Sequence, residues 1–508
     1  MDFLDPRKQK AHARRLIVGY FLIGIAILLT TTILLYRAYG YELGKNGQII
    51  QQGLVFVSSQ PNPATIYIDG KANGNTNKRI FLQAGQYTFR LARAGYRPWV
   101  RAVSVEGGSV EHFDYPFLFP TSLTSSSIRD YATQPSLVLQ SPSRQYLLVA
   151  SPNNFGQFDE FDLGQSTPAK VTASQTTLTI PSNVLSSSTG PQSWQLDEWS
   201  TDNAHVILQH FFEESGQSVS EYILLNRQDP TQSVNLTNTF GTNPTKLEFI
   251  DSSDYTNYYI YDQSSNTLDT ATLNTPVPKT YLSDIMGFKP YSSGTLLYAT
   301  TQNAPSGKVN VELQQGSTTY PIRQLAIPSG GQYLLDFTQY SGHWYIVAGT
   351  TVGSNVYVYR DPQVELQAEP AQTLAPISIL KVADPSQVAF SASAQFIMGE
   401  NGSMFSVYDA QNDKNYTYQK NTTPLDAPQQ FATWMDGDRI TYTSGGKLVV
   451  FDYDSANQQT LMPTIPGELP FFSSNYHYVY DFNSVPANGS SPAQIALNAT
   501  ALLAPADL

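Results

Sequence analysis

The chain of 508 residues carries 29 basic and 41 acidic side chains, a formal net charge of −12, and is 41% hydrophobic but only 14% charged. It has no cysteine, which excludes a disulfide framework, a thiolate metal site and a cysteine nucleophile. The acidic balance argues against nucleic acid as a partner, because phosphate backbones call for a basic face, and the length suggests two or three domains.

Residues 1–15 contain Arg7, Lys8, Lys10, Arg14 and Arg15 and are too few to fold, so they are expected as a cytoplasmic tail. Residues 16–36, "LIVGYFLIGIAILLTTTILLY", hold no charge. At ~1.5 Å per residue a helix of that length spans roughly 31 Å, the thickness of the hydrocarbon core. A signal peptide has an apolar region of about 7–15 residues ahead of a small-residue cleavage site. Here Tyr36, Arg37, Tyr39 and Tyr41 stand at that point instead, as in an interfacial aromatic belt. The stretch therefore predicts an uncleaved transmembrane helix. Five basic residues precede it and only Arg37 and Lys45 follow closely. The positive-inside bias then keeps the N-terminus in the cytoplasm and places the bulk of the chain outside the plasma membrane, as a single-pass protein.

Residues 37–52 read as a juxtamembrane linker and residues 53–120 as a small β-domain. In "ATIYIDGK" Ile66 and Ile68 face one way and Tyr67 the other, and Asp69-Gly70 makes a tight turn. "GQYTFRL" and "WVRAVSV" supply further alternating strands. The module carries Pro61-Asn62-Pro63-Ala64, Ile66-Tyr67-Ile68-Asp69-Gly70-Lys71, Gly74, Thr76, Ala84-Gly85-Gln86-Tyr87 and Gly95-Tyr96-Arg97-Pro98. In order and spacing these residues resemble the PEGA domain, with Asn62-Pro63 in place of that motif's Glu-Gly and Asn77 in place of a proline. The resemblance implies a β-sandwich that serves prokaryotic surface proteins as an extracytoplasmic spacer or attachment module, without enzymatic activity. Its Arg90, Arg93, Arg97 and Arg101 would meet anionic lipid headgroups or acidic wall polymer if they share one face; otherwise they form a solvated strand surface.

After a Ser/Thr-rich linker at residues 121–129, residues 130–508 repeat one pattern: a short strand, a polar step, then an apolar strand. It recurs as "LQSPSRQYLLVA", "EWSTDNAHVILQ", "FIDSSDYTNYYIY", "GFKPYSSGTLLYAT", "LDFTQYSGHWYIVAG", "VAFSASAQFIMG", "FATWMDGDRITYT" and "PFFSSNYHYVYDF". Spacings of roughly 40–60 residues are those of four-stranded propeller blades. Through Trp199-Ser200-Thr201-Asp202 and Trp434-Met435-Asp436-Gly437 the repeats resemble WD-type and TolB-type β-propellers. A β-sandwich array is the alternative. Seven strand–turn–strand second halves follow these units, and the last unit offers only "AQIALNATALL". A strand from residues 127–138 is then expected to complete the ring, giving eight blades in preference to seven. The fold class is thus an all-β ectodomain on one transmembrane helix.

Chemistry is harder to find. Of the six histidines (His12, His112, His205, His210, His343 and His477), His205 and His210 share a predicted strand but lie on opposite faces. HExxH, GxSxG, P-loop and sialidase-type S-x-D-x-G-x-x-W motifs do not occur in the sequence. Asp159, Glu160 and Asp162, Asp197 and Glu198, and Asp452 and Asp454 form acidic clusters, but each falls where a propeller hairpin needs polar residues. The alternating ligands of a calcium loop fail at Ala456. No catalytic, cofactor-binding or metal-ligating residue is assigned, and no cofactor. The expected function is that of a non-enzymatic binding or scaffold protein of a prokaryotic cell envelope, its propeller holding a protein or a wall polysaccharide. The alternative is a propeller-type glycoside hydrolase or lyase with acidic residues meeting in the central channel.

Overall fold

The structure is a computed structural model that describes residues 6–38, 40–43, 49–188, 190–214, 216–369, 373–420, 425, 431–466, 468–487 and 492–508. Lys45 lies outside them. The chain forms two compact units, Met1–Ser122 with Pro505–Asp507, and Leu123–Ala504 with Leu508.

In the first unit α1 (Pro6–Ala38) extends past both ends of the uncharged stretch. Its segment His12–Arg37 is long and apolar enough to cross a membrane. Side chains such as Ile17, Phe21, Leu28 and Leu34 are exposed, so α1 is no core helix. The threonines that interrupt the apolar run satisfy themselves: Thr30 donates to the Ala26 carbonyl (2.7 Å) and Thr32 to that of Leu28 (2.8 Å).

Strand β1 (Tyr41–Leu43) and the start of β2 (Ile49–Val57) fall in the stretch read as linker, and they pair antiparallel. The module continues with β3 (Thr65–Ile68), β4 (Lys71–Asn75), β5 (Lys78–Gln83), β6 (Gly85–Ala92), β7 (Trp99–Val105) and β8 (Val110–Phe113). One sheet runs β1-β2-β5 with β8 parallel to β2, and the other β4-β3-β6-β7. The Asp69-Gly70 turn is as expected, with Ile68 paired to Lys71 and φ of 48° and 78° at its two central residues. Alternation buries Val55, Val57, Ile80 and Phe113 from the first sheet with Ile66, Phe89, Leu91 and Trp99 from the second. Phe113 packs 5.2 Å from Phe89 and 5.6 Å from Trp99. The four arginines do not share a face. Arg90 pairs in register with Val100 and lies under Tyr67, whereas Arg101 pairs with buried Phe89 and reaches out to donate to the Tyr115 hydroxyl at 2.6 Å.

The second unit opens with β9 (Ser125–Tyr131), in residues read partly as linker. Its described residues form eight four-stranded antiparallel sheets. Seven of them, blades 1 to 7, are each built from consecutive strands, over residues 138–179, 193–235, 246–282, 285–326, 333–381, 387–419 and 433–463. Blade 8 takes three strands from residues 471–501 and its fourth from β9, which pairs with Gln494–Ala501. Ring closure is therefore as expected in kind but shifted in place. Val138 belongs to blade 1, and Pro135, which has no N–H to give a ladder, falls between the two strands. Apolar seams join neighbouring blades: Leu148, Trp194 and Leu208 lie between blades 1 and 2, Leu313, Phe337 and Ile346 between 4 and 5, and Val358, Ile397 and Tyr408 between 5 and 6. The seam of Leu147, Phe161, Tyr480 and Leu497 joins blade 8 back to blade 1. The unit is a closed eight-bladed propeller. The first strands of blades 2 to 6 run beside one another, which makes them its inner wall.

Candidate functional site

Inner strands have one edge without a ladder partner, so their N–H groups must find other acceptors. The first strand of blade 2, Ser193–Trp199, carries a β-bulge between Leu196 and Glu198, with Asp197 as the extra residue. A bulge re-aims side chains, and here both consecutive acids reach the inner strand of blade 3, Lys246–Asp251. Asp197 accepts from the Leu247 N–H, and Glu198 from the Phe249 N–H at 2.7 Å. Burial, reinforced by the nearby Glu248 carboxylate, pushes Asp197 up to about 7 and Glu198 up to about 8. Glu198 thus holds its proton near neutrality and can donate a hydrogen bond.

Two lysines face these acids. Lys246 pairs with Glu248 at 2.5 Å, while the other Glu248 oxygen is buried without a hydrogen-bond partner among the described residues. Lys289, on the inner strand of blade 4, Ile285–Ser292, is solvent-accessible. Burial by the surrounding walls would lower its proton affinity, but Asp336, Glu248 and Glu198 outweigh that and raise it. Asp336 comes from the inner strand of blade 5, Tyr333–Tyr340. Four successive inner strands therefore each bring a charged group toward one place.

A cavity of about 510 Å³ opens beside them, lined by Glu198, Asp251, Ser252, Lys289, Ser292 and the rings of Phe249, Tyr291 and Phe337 among others. Ile250 and Tyr291 are the extra residues of bulges in the blade 3 and blade 4 strands and also line it. Tyr291 is half exposed and packs edge-on against Trp344 at 4.8 Å. The arrangement offers the exposed ring of Tyr291 beside the Glu198 acid, the Lys289 ammonium, the Asp251 carboxylate and the hydroxyls of Ser252 and Ser292. Such a site can bind a polyhydroxylated ligand and move a proton.

The other acidic clusters are engaged elsewhere. Asp159 accepts from Tyr131 (3.1 Å), Glu160 pairs with Arg227 (2.9 Å), and Asp162 accepts from the Gly164 N–H (2.9 Å). Asp452 accepts from Asn457 at 2.8 Å and Asp454 from the Ala456 N–H at 3.2 Å. His205 and His210 lie in one strand but serve separate acids, Asp202 at 2.6 Å and Glu221 at 2.8 Å. His343 pairs with Asp361 (2.5 Å), and His112 stacks on Phe56 (4.8 Å). Among the described residues no three His, Asp or Glu side chains converge as metal ligands. Sequence reasoning singled out Asp197 and Glu198 but missed Glu248, Lys289, Asp336 and Tyr291. A signal was present: in four successive repeats a charged residue directly precedes an aromatic or proline, as Glu198-Trp199, Glu248-Phe249, Lys289-Pro290 and Asp336-Phe337.

Residues 52–118 match the PEGA domain family. None of the curated proteins matches the chain in sequence. Among solved structures, the dihydro-heme d1 dehydrogenase NirN in complex with DHE is 14% identical, covers 66% of this chain and 66% of its own, and has a TM-score of 0.38. Hsv2 of Kluyveromyces lactis is 10% identical over 61% of this chain and 99% of its own (TM-score 0.32). An oligogalacturonate lyase in complex with manganese is 10% identical over 62% and 99% (TM-score 0.35). From the family match and the strand topology, the chain carries a PEGA domain at residues 52–118 ahead of an eight-bladed β-propeller.

Proposed function

We propose that this is a non-enzymatic binding protein of a prokaryotic cell envelope, held in the plasma membrane by α1 with its N-terminus in the cytoplasm, whose propeller binds an envelope polysaccharide. The observation that carries the reading is the cavity at the bulged inner strands, where the exposed Tyr291 stands beside Glu198, Lys289, Ser252 and Ser292. A pyranose ring has apolar C–H faces that stack on aromatic rings and a rim of hydroxyls that exchange hydrogen bonds with such groups. The test is calorimetric titration of the purified full chain with soluble envelope polysaccharide fragments. Saturable binding is expected, weakened about tenfold or more in Tyr291→Ala, the equivalent of about 1.4 kcal/mol. Binding unchanged in both Tyr291→Ala and Lys289→Met removes the cavity from the reading.

One observation favours a second reading. Burial and then the Glu248 carboxylate push Glu198 up to about 8, the direction a general acid needs, and Asp197 is the adjoining acid. Release of new reducing ends from the same fragments, lost in Glu198→Gln while binding persists, is the outcome that would establish hydrolysis or lyase chemistry.

A further inference from the structure

The sheet of β2, β5 and β8 has a core face and an outer face, and its register settles which side chains share the outer one. Leu54 pairs with Phe81 and Val110, and Phe56 with Arg79 and His112. Their neighbours Val55, Val57, Ile80 and Phe113 are buried, so these six point away from the core. Phe81 is 54% and Val110 53% exposed, a high value for large apolar side chains on one contiguous face. Arg79 lies 5.8 Å over the Phe56 ring and His112 stacks on its plane at 4.8 Å. The one acid in these three strands, Glu111, pairs with buried Val55 and so belongs to the opposite face. The outer face is apolar with a basic edge.

Its position says what covers it. The Gly40 N–H bonds the Arg37 carbonyl in the last turn of α1 (3.1 Å), and the Gln52 N–H bonds the Gly40 carbonyl (2.7 Å). The row Leu54, Phe81 and Val110 is two residues along β2 from that tether, about 7 Å whichever way the strand leans. The headgroup zone beyond the hydrocarbon core is itself roughly 5–8 Å deep.

We infer that the outer face of the β2-β5-β8 sheet is a membrane-interfacial surface, in which Phe81 and Val110 enter the headgroup layer and Arg79 binds the phosphate of anionic lipid. The inference rests on reading α1 as a retained membrane anchor. Apolar side chains gain by leaving water at this depth, and a juxtamembrane cation is attracted to an anionic leaflet. The surface would hold the PEGA domain flat against the bilayer.

Because the native chain has no cysteine, single-cysteine variants label cleanly. Phe81→Cys, Val110→Cys, Ala102→Cys and Tyr20→Cys are labelled with an environment-sensitive fluorophore. The full chain is then reconstituted in phosphatidylcholine–phosphatidylglycerol vesicles containing nitroxide lipids. Ala102 is exposed on the outer face of the other sheet, and Tyr20 lies in α1. Headgroup nitroxides are expected to cause loss of fluorescence at 81 and 110 but not at 102, and adding Arg79→Glu is expected to lessen the loss at 81. Mid-chain nitroxides are expected to quench position 20. Quenching at 20 with 81 and 110 no different from 102 leaves the anchor standing and overturns the interfacial surface. Emission changes at 81 that follow protein density rather than nitroxide lipid assign the face to a second copy and also overturn it. Absence of quenching at 20 overturns the anchor, and the inference with it.

Discussion

At the scale of single residues, the recurring polar step has a structural cause in five of the eight repeats. Ser141, Ser391 and Ser473 each accept, through the side-chain oxygen, the N–H five residues on: Tyr146 (3.0 Å), Phe396 (3.2 Å) and Tyr478 (3.0 Å). In blades 2 and 7 the acids Asp202 and Asp436 do equivalent work, accepting from the His205 N–H (3.1 Å) and the Arg439 N–H (2.8 Å). This is why a weak Ser/Asp pattern was legible in these five of the eight repeats. Buried acids set the response to pH. Burial raises Glu400, Asp197 and Asp481 to about 7 and Glu198 to about 8. A carboxyl raised on folding contributes stability that is full below its unfolded value near 4–4.5 and is lost as pH rises through the folded value. Glu221 runs the other way. It is held at about 2, overcoming the cost of its own burial, by hydrogen bonds from His210, Ser186 and Asn235, and contributes above pH 4.5 and not near 2. Urea midpoints are therefore expected to be highest near pH 5 and to fall by pH 8. In Glu400→Gln, which cannot ionise, the fall between those two pH values should be smaller, by up to about 3 kcal/mol at about 1.4 kcal/mol per pKa unit. An unchanged slope would show that Glu400 does not titrate in this range.

At the scale of elements, the ring is closed by β9. Its buried residues Ile128 and Tyr131 join Tyr480, Phe482 and Leu497 in the seam between blades 8 and 1. Opening that seam exposes the edges of two blades at once, so its side chains should matter as much as any in the interior. Ile128→Ala is expected to destabilise the propeller by about 2–4 kcal/mol, the range for a buried Ile truncation, as read by urea denaturation. A cost near zero would mean that the closing strand is dispensable. The inner strands make the opposite point. Bulges in blades 2, 3 and 4 spoil their regular pairing and yet place Ile250 and Tyr291 at the cavity and turn Asp197 to the Leu247 N–H of blade 3. Two-residue alternation is readable in a sequence; a bulge removes one step of it, and a strand containing one reads as an irregular strand.

At the scale of the whole molecule, an uncleaved α1 with basic residues before it predicts that everything beyond about residue 39 is outside the cell. Protease shaving of intact cells, probed with antibodies to each end, is expected to remove the C-terminal epitope and spare residues 1–15. A protected C-terminus would place the propeller in the cytoplasm and refute the envelope-binding reading. Deleting residues 16–36 is expected to yield soluble, folded protein; recovery of that product with membranes would refute the anchor.

The amino-acid sequence by itself determined the apolar helix, the PEGA domain and the eight repeats, because each is written in local order. These are an uncharged run of bilayer length, glycines and prolines at set distances, and a polar step between two apolar strands. Only the tertiary structure decided that Glu198, Glu248 and Asp336, each from a different blade, act together on Lys289 of a fourth, and that Glu198 and Lys289 line one cavity. It alone decided that Arg90 and Arg101 part to opposite faces while Arg79 and Phe81 share one. Convergence of that kind depends on ring closure, strand register and bulges. Those are settled by long-range pairing and burial rather than by neighbours along the chain.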